Sequence, residues 1–436
     1  MNNLDDILTN EKQNLSSWQI WNMTFGFLGI QFGWGLQMGN MSAIYEFLGA
    51  QPHEIPFLWL AAPVTGLIVQ PIIGYMSDRT WHPYWGRRRP YFLIGAILAS
   101  CALIAMPYSS SIWMAAGMLW VLDASINISM EPTRAFIADV LPEEQLPKGY
   151  TMQSFFIGFG AVLAALMPWF LLNVIGMDKT STDGSIPDYV KISFLVGGAA
   201  FLGAMLYTVF TTKEYPPEFY EPEDKEESLG YFLGLKIAFQ NMPKSFVKLA
   251  PVQFFTWLGL FLMWFYLTVT ICEHVFGATN PNSSLYADGL AWANICFGYY
   301  SVVTFLFALI MPSIARKIGN VKLHFTCLAT GGVALLSIGF VRDPYLLLLP
   351  MTGVGIAWAS IVSIPYVLIA KDIPPKQMGI FMGLFNMFIV LPEIIAALGF
   401  GWVMSELLGN NTLHGVMLGG LLLIIAALLT FRVQED

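Results

Sequence analysis

A helix-length apolar segment, residues 111–137, carries four polar side chains that could bind a ligand or exchange protons. They are Asp123, Asn127, Glu131 and Arg134, and the last three follow Asp123 by four, eight and eleven residues. At about 100° per residue, a helix would hold all four within roughly 80° of arc. Ionisable groups inside an apolar helix cost about 2.5–3.5 kcal/mol each on insertion scales, so this face is expected to meet water or polar partners.

Asp123 is the strongest candidate for proton exchange. It lies near the middle of the segment and about 16 Å along the helix axis from Arg134, too far for a direct ion pair. The alternative for Asp123 is a hydrogen bond to a neighbouring helix. Glu131 and Arg134 are three residues apart and can pair with each other, so they are either a structural ion pair or further proton-coupling residues.

Amide and indole side chains supply the candidate binding groups. Amides both donate and accept hydrogen bonds, which suits a ligand rich in hydroxyl groups, and an indole face suits a flat apolar ligand surface. Ordinary packing at the bilayer interface is the alternative for the indoles. The candidates are Gln31, Trp34, Gln37 and Asn127 in the first half of the chain and Trp264, Trp358 and Asn386 in the second.

Glu393 is the second-half counterpart of Asp123. It follows Asn386 by seven residues and therefore shares its helix face. Pro392, directly before it, loosens the helix at this point. Glu393 is thus a further proton-coupling candidate, and a carboxyl satisfied by a helix contact is the alternative.

The composition indicates how these residues are positioned. Of 436 residues, 56% are hydrophobic and only 11% are charged, which is typical of a membrane protein. The sequence contains twelve apolar runs that are long enough to span a bilayer. The predicted fold is therefore an all-α membrane protein with twelve transmembrane helices in two six-helix bundles. The runs are 19–43, 57–76, 90–107, 111–137, 152–175, 190–210, 247–272, 286–311, 323–341, 345–370, 379–406 and 412–431.

The predicted organisation has five parts. The first bundle covers 19–210 and the second 247–431. Between them, residues 211–246 begin with a Pro- and Glu-rich stretch typical of a solvated linker and continue with the pattern of an interfacial amphipathic helix. Residues 1–18 and 432–436 form cytoplasmic tails.

A basic loop between the second and third runs sets the predicted orientation. Lysine and arginine beside short loops are retained on the cytoplasmic side. If both termini are cytoplasmic, only Lys179, Lys191 and Arg342 among the 21 Lys and Arg residues fall on the other side. The loop residues are Gly74, Asp78, Arg79, Gly86, Arg87, Arg88 and Arg89.

Several functional classes find no support in the sequence. The four cysteines stand singly and the five histidines are scattered, so we expect neither a disulfide framework nor a metal site. The chain has no Gly-rich nucleotide loop ending in Gly-Lys, and no cofactor is expected. The net charge of -8 gives no reason to expect a nucleic-acid partner, and a monomer in the lipid bilayer is the expectation.

Two motif sets indicate a family. The loop from Gly74 to Arg89, with a weaker copy at 312–319 in the second half, resembles the major facilitator superfamily. Residues 31–37 (QFGWGLQ), 59–74 and 86–90 (GRRRP) resemble, in order, the motifs of plant-type sucrose:proton symporters within the wider glycoside–cation class. The chain departs from that pattern at Glu131 and at 270–274.

The resemblance implies a secondary transporter, not an enzyme, that moves a disaccharide, sucrose or a maltose-like glucoside, together with a proton. It also implies that the basic loop, Gly74 to Arg89, helps to close the cytoplasmic side. The expected location is the inner or plasma membrane. A sodium-coupled glycoside symporter and a transporter-like sugar sensor remain the alternatives. A further alternative, an integral membrane enzyme, would need clustered His or Asp residues on one helix face, and the sequence shows no such cluster.

Overall fold

A computed structural model describes residues 12–181, 185–216, 239–370 and 378–433. In these ranges every regular element of four or more residues is helical. The fifteen α-helices of the described residues are α1 (Ser17–Thr24), α2 (Gly26–Phe47), α3 (Ile55–Leu58), α4 (Ala61–Arg79), α5 (Arg89–Ala105), α6 (Ile112–Val140), α7 (Leu146–Asn173), α8 (Asp188–Thr211), α9 (Lys244–Thr270), α10 (Ser284–Ile318), α11 (Asn320–Ser337), α12 (Leu348–Ile361), α13 (Ile364–Ala370), α14 (Met378–Glu406) and α15 (Thr412–Thr430).

The prediction of an all-α membrane protein is confirmed, and eleven of the twelve predicted spans are seen among the described residues as helices long and apolar enough to cross a bilayer. The remaining run, 19–43, corresponds to α1 and α2. Phe25 separates these two helices, and Gln31, Gln37 and Asn40 lower the hydropathy of α2. The same polar side chains that make α2 a candidate for ligand binding therefore weaken it as a lipid-facing span.

Several predicted spans are interrupted helices. Residues 57–76 correspond to α3 and α4, and 345–370 to α12 and α13. The seventh run ends in a π-helical turn, Ile271–Val275. Such turns place an extra residue in the helix and often occur at functional sites. Within the predicted linker and tails, residues 1–11, 217–238 and 434–436 lie outside the described residues, and so does the part of the predicted interfacial helix before residue 239.

The described chain forms two compact units. The first contains 12–37, 65–164 and 191–216. Its α5 and α6 pack closely at Gly95, where an added Cβ would lie 2.6 Å from the backbone nitrogen of Ser129. Any larger residue at 95 would force these two helices apart, so this contact fixes the position of α6 and its polar face.

The second unit contains 38–64, 165–181, 185–190, 239–370 and 378–433. Helix α9 lies in its core, because every residue from Gly259 to Thr270 is buried. A helix that is apolar and buried all round is typical of the centre of a helical bundle. Water is therefore kept from the few polar side chains on α9, and each of them either bonds inside this unit or stays without a partner among the described residues, as Gln253 Nε2 does.

Candidate functional site

Asp123 lies at the centre of a buried polar network in the first unit. Its side chain and that of Gln37 are both fully buried, and Gln37 Nε2 donates a hydrogen bond of 2.8 Å to Asp123 Oδ1. Within the described part of the chain, Asp123 Oδ2 and Gln37 Oε1 have no hydrogen-bond partner. Buried oxygens without partners are costly, so this pair is suited to receive a proton or a ligand hydroxyl.

Asn127 extends the network by one helical turn. Its Nδ2 donates to the backbone carbonyl of Asp123 at 2.8 Å and approaches Thr65 Oγ1 at 3.3 Å, while its Oδ1 accepts from Gln70 Nε2 at 2.7 Å. The network thus joins α2, α4 and α6. Gln37 bonds the Asp123 carboxyl itself, and the described residues provide this carboxyl with no arginine or lysine partner.

The other candidates of the first half are less buried. Gln31, Trp34 and Glu131 are half-buried, whereas Arg134 is exposed. The structure has no ion pair between Glu131 and Arg134 among the residues it describes. The structural pair that their spacing allowed is therefore not formed in this structure.

Three tryptophans form an aromatic cluster in the second unit. Trp264 and Trp358 have ring centroids 5.5 Å apart at an interplanar angle of 82°, and Trp257 lies 5.9 Å from Trp358. Edge-to-face contacts of this kind fix ring orientation. Gln253 accepts a 2.9 Å hydrogen bond from the Trp257 indole, and its buried Nε2 has no partner in the described structure.

Glu393 is buried on α14, with 8% of its surface exposed. The described residues form no hydrogen bond or ion pair with its side chain. Asn386, which lies on the same face of this helix seven residues earlier, is half-buried. Glu393 therefore resembles Asp123 in burial but lacks the amide partner that Asp123 has.

Arg88 organises the basic loop of the first unit. Its guanidinium contacts Asp139 Oδ2 through Nε at 2.7 Å, Asp78 Oδ1 through NH2 at 2.6 Å and Ser77 Oγ through NH1 at 2.7 Å. Burial lowers the pKa of this guanidinium, but the hydrogen bond and charge of Asp139 and the charge of Asp78 outweigh burial and raise the pKa. Arg88 therefore stays charged and joins the ends of α4 and α6 to the start of α5.

Glu214, just after α8, caps the start of α5. Its carboxylate accepts hydrogen bonds of 2.9–3.0 Å from the backbone nitrogens of Arg87, Arg88 and Arg89. A carboxylate is favoured here because the first amides of a helix have no intrahelical partner. Gly86 has φ +78°, and an added Cβ would lie 2.5 Å from Glu214 Oε1, so the turn requires glycine.

Of the remaining loop residues, Asp78 and Arg79 are exposed, whereas Gly74, Arg87 and Arg89 are half-buried. Arg87 pairs with Asp139 at 2.7 Å, whereas Arg79 lies over the Tyr75 ring at 3.6 Å. Gly74 makes no close packing contact that a side chain would disturb. Sequence reasoning identified the arginines but missed Asp139 and Glu214. The only signal for Asp139 was an acidic residue at the end of a long apolar run facing a basic loop.

The other partners that sequence reasoning missed are Thr65, Gln70, Trp257 and Gln253. Gln70 stood inside one of the family motifs, but nothing along the chain paired it with Asn127. Trp257 and Trp264 are seven residues apart, which places them on one helix face. That spacing was a usable signal for an aromatic cluster.

The chain is similar to proteins of known function over most of its length. It is 24% identical to "Sucrose transport protein SUT1" of Oryza sativa subsp. japonica, with 88% of this chain and 82% of the relative covered. It is 25% identical to "Sucrose transport protein SUC4" of Arabidopsis thaliana, with coverage of 93% and 89%.

Solved structures share the fold. The D-xylose-proton symporter matches with a TM-score of 0.68 at 15% identity, covering 97% of this chain and 99% of that one. The nucleoside transporter NupG matches with a TM-score of 0.70 at 12% identity, covering 96% and 99%. The sequence profile of the Major Facilitator Superfamily matches residues 23–397. Because this match spans most of the sequence, the chain belongs to the Major Facilitator Superfamily, a family of membrane transporters and not of enzymes.

Proposed function

We propose that this chain is a symporter that carries a disaccharide, sucrose or a maltose-like glucoside, together with a proton by alternating access. The relatives named as sucrose transport proteins support the substrate class. The observation that carries the coupling mechanism is the buried network around Asp123, in which one carboxyl oxygen has an amide donor and the other has no partner among the described residues.

Asp123 is the proposed proton carrier. Burial without a neighbouring cation favours the neutral carboxyl, which has a hydroxyl to donate to a sugar oxygen. The ionised carboxylate is favoured once water reaches it. Proton and sugar are therefore coupled if the loaded site is closed to one side and rehydrated on the other, because the two states then differ in affinity for both ligands.

The proposed substrate-binding residues are amides and indoles from both halves of the sequence. They are Gln31, Trp34, Gln37 and Asn127 in the first half and Trp264, Trp358 and Asn386 in the second. The hydrogen bonds already formed by Gln37 and Asn127 support a role for these two amides in positioning Asp123 as well as in binding. Glu131, Arg134 and Glu393 are the further proton-coupling candidates.

The orientation is part of the proposal. With both termini cytoplasmic in an inner or plasma membrane, the basic loop lies on the cytoplasmic side, as the distribution of lysine and arginine favours. Arg88 and Glu214 then hold the cytoplasmic ends of α4, α5, α6 and the segment after α8 together within one unit. A monomer is sufficient, since one chain supplies every proposed contact.

Counterflow of labelled disaccharides in proteoliposomes tests the function directly. The purified protein should exchange sucrose or maltose, and an inward proton gradient should drive accumulation whether or not sodium is present. Accumulation that requires sodium would instead support a sodium-coupled glycoside symporter. Specific binding without any exchange would support a sugar sensor and overturn the transport proposal.

A further inference from the structure

The aromatic cluster of the second unit includes a buried amide donor without a partner. Gln253, on α9, is only 1% exposed, and its Oε1 accepts the 2.9 Å hydrogen bond from the Trp257 indole. An indole N–H can only donate, so this bond determines which branch of the amide is the oxygen. The other branch, Nε2, carries two N–H groups and has no hydrogen-bond partner among the described residues.

The amide lies on the same face of α9 as two of the tryptophans. Gln253, Trp257 and Trp264 fall within about 40° of arc on a helix. Trp257 stands at the middle of α9 (Lys244–Thr270), and its ring lies 6.4 Å from that of Trp264 and 5.9 Å from that of Trp358 on α12. One helix face therefore carries an amide donor and two indoles, and a third indole from α12 meets them.

Thr256 adds a second polar group without a partner. Its side chain is fully buried, and its Oγ1 forms no hydrogen bond with the described residues. Thr256 follows Gln253 by three residues and directly precedes Trp257, so it lies beside the aromatic face. Buried polar groups are normally paired, and an aromatic surface with a few polar groups is the usual composition of a small-molecule site. The two unpaired groups therefore favour a ligand that carries hydroxyls.

The Trp358 ring is held by the packing of α12. Gly355, one turn before it, lies against α10, where an added Cβ would be 2.7 Å from the carbonyl oxygen of Tyr300. Trp358 is half-buried, whereas the two tryptophans of α9 are buried. Trp358 is therefore the indole of the cluster that retains surface for a ligand, and its position is fixed before a ligand arrives.

We propose that Gln253 is a specificity-determining residue of a sugar subsite formed with Trp257, Trp264 and Trp358. Gln253 Nε2 donates to one hydroxyl oxygen of a disaccharide ring, and the apolar face of that ring packs against Trp358. Trp257 is a positioning residue, because its indole holds the amide oxygen and leaves Nε2 for the sugar. The inference rests on the proposed function for its substrate class and adds the residue that recognises one particular hydroxyl.

Binding of sucrose and maltose to the purified full-length protein in lipid nanodiscs tests the subsite, together with derivatives that each lack one hydroxyl. Gln253→Met keeps the length of the side chain but removes the amide, and affinity for the complete sugar should fall about 3- to 10-fold. In the parent protein, one derivative should bind more weakly than the complete sugar by a similar factor, since its missing hydroxyl leaves the donor unpaired. Gln253→Met should bind this derivative and the complete sugar equally and still discriminate among the others. A purely structural side chain would affect all ligands alike.

Gln240→Met is the matched control, because it makes the same substitution at an exposed glutamine before α9 and should leave every affinity unchanged. Trp257→Phe keeps an aromatic ring without the indole donor, so it should weaken binding by less than Gln253→Met and reduce discrimination at the same hydroxyl.

Gln253→Asn withdraws the amide by one methylene and gives the same comparison if Gln253→Met does not fold. A Gln253 variant that discriminates among the derivatives as the parent protein does would overturn the subsite. In that case the parent protein still binds the disaccharide, whereas failure of the proposed function would leave it with no disaccharide binding at all.

Discussion

Gln37 Nε2 lies 2.8 Å from Asp123 Oδ1, and both side chains are fully buried. The amide can donate only one such bond in this geometry, and the second carboxyl oxygen has no partner among the described residues. An amide donor stabilises a carboxylate, whereas burial without a cation opposes it. The amide donor and the burial therefore act on the Asp123 carboxyl in opposite directions, and water that enters the site would favour the carboxylate.

Asp123→Asn should abolish proton-driven accumulation while leaving part of the sugar exchange. Asparagine keeps the size of the side chain and can still accept from Gln37, but it cannot release a proton. Uphill uptake under an inward proton gradient, compared with counterflow at equal sugar on both sides, measures the two activities separately. A variant that still concentrates sugar would rule Asp123 out, and the same pair of assays would then be applied to Glu393→Gln and Glu131→Gln.

Asn127→Ala should weaken disaccharide binding several-fold. The variant removes hydrogen bonds worth about 0.5–1.5 kcal/mol each and leaves Gln70 without its partner in α6. Ser125→Ala is the control on the same helix, because Ser125 donates only to the Val121 carbonyl within α6. Binding is measured by the sugar dependence of counterflow, and equal affinities for Asn127→Ala and the parent would remove Asn127 from the site.

Sequence periodicity predicted one polar face for α6, because ionisable residues are rare in apolar helices and their spacing along one helix fixes their common direction. It did not predict their partners. The partners of Asp123 and Asn127 lie on α2 and α4. They depend on how three helices pack together, and the residue spacing along one helix does not predict that packing. Gln37 was therefore interpreted as a ligand contact only, whereas the structure also shows it bonded to Asp123.

The same limit applies to the basic loop. Its arginines and Gly86 were singled out from the sequence, but Glu214 was interpreted as part of a solvated linker because proline and glutamate surround it. Its role as a cap depends on a helix whose first residue lies 125 positions earlier in the chain. The composition of a segment predicts whether the segment as a whole is solvated. It cannot show that one of its carboxylates is buried against a distant helix.

The proposed orientation predicts opposite labelling of two exposed loops. A cysteine at Tyr84, 69% exposed beside the basic loop, should react with a membrane-impermeant maleimide only after the membrane is opened. A cysteine at Asn282, exposed before α10, should react from outside in intact cells. Both positions are tested in a background without the native cysteines. Labelling of Tyr84→Cys in intact cells, with Asn282→Cys protected, would reverse the topology.

Glu214→Ala should destabilise the first unit without removing any residue of the Asp123 network. The substitution leaves the backbone amides of Arg87, Arg88 and Arg89 without their carboxylate, and loss of a helix cap with a buried charged acceptor costs about 1–3 kcal/mol. Glu214→Gln keeps an acceptor oxygen and should therefore lower the free energy of unfolding by less than Glu214→Ala does.

Lys213→Ala is the matched control for this cap, since Lys213 is the exposed neighbour of Glu214. The three purified variants and the parent are unfolded by heat in one detergent. The parent and Lys213→Ala should have the highest unfolding temperature, Glu214→Gln a lower one and Glu214→Ala the lowest. Because the Glu214 side chain is only 1% exposed, solvent cannot replace its hydrogen bonds without local opening. Equal unfolding temperatures for Glu214→Ala and Lys213→Ala would show that the cap contributes nothing to the stability of this unit.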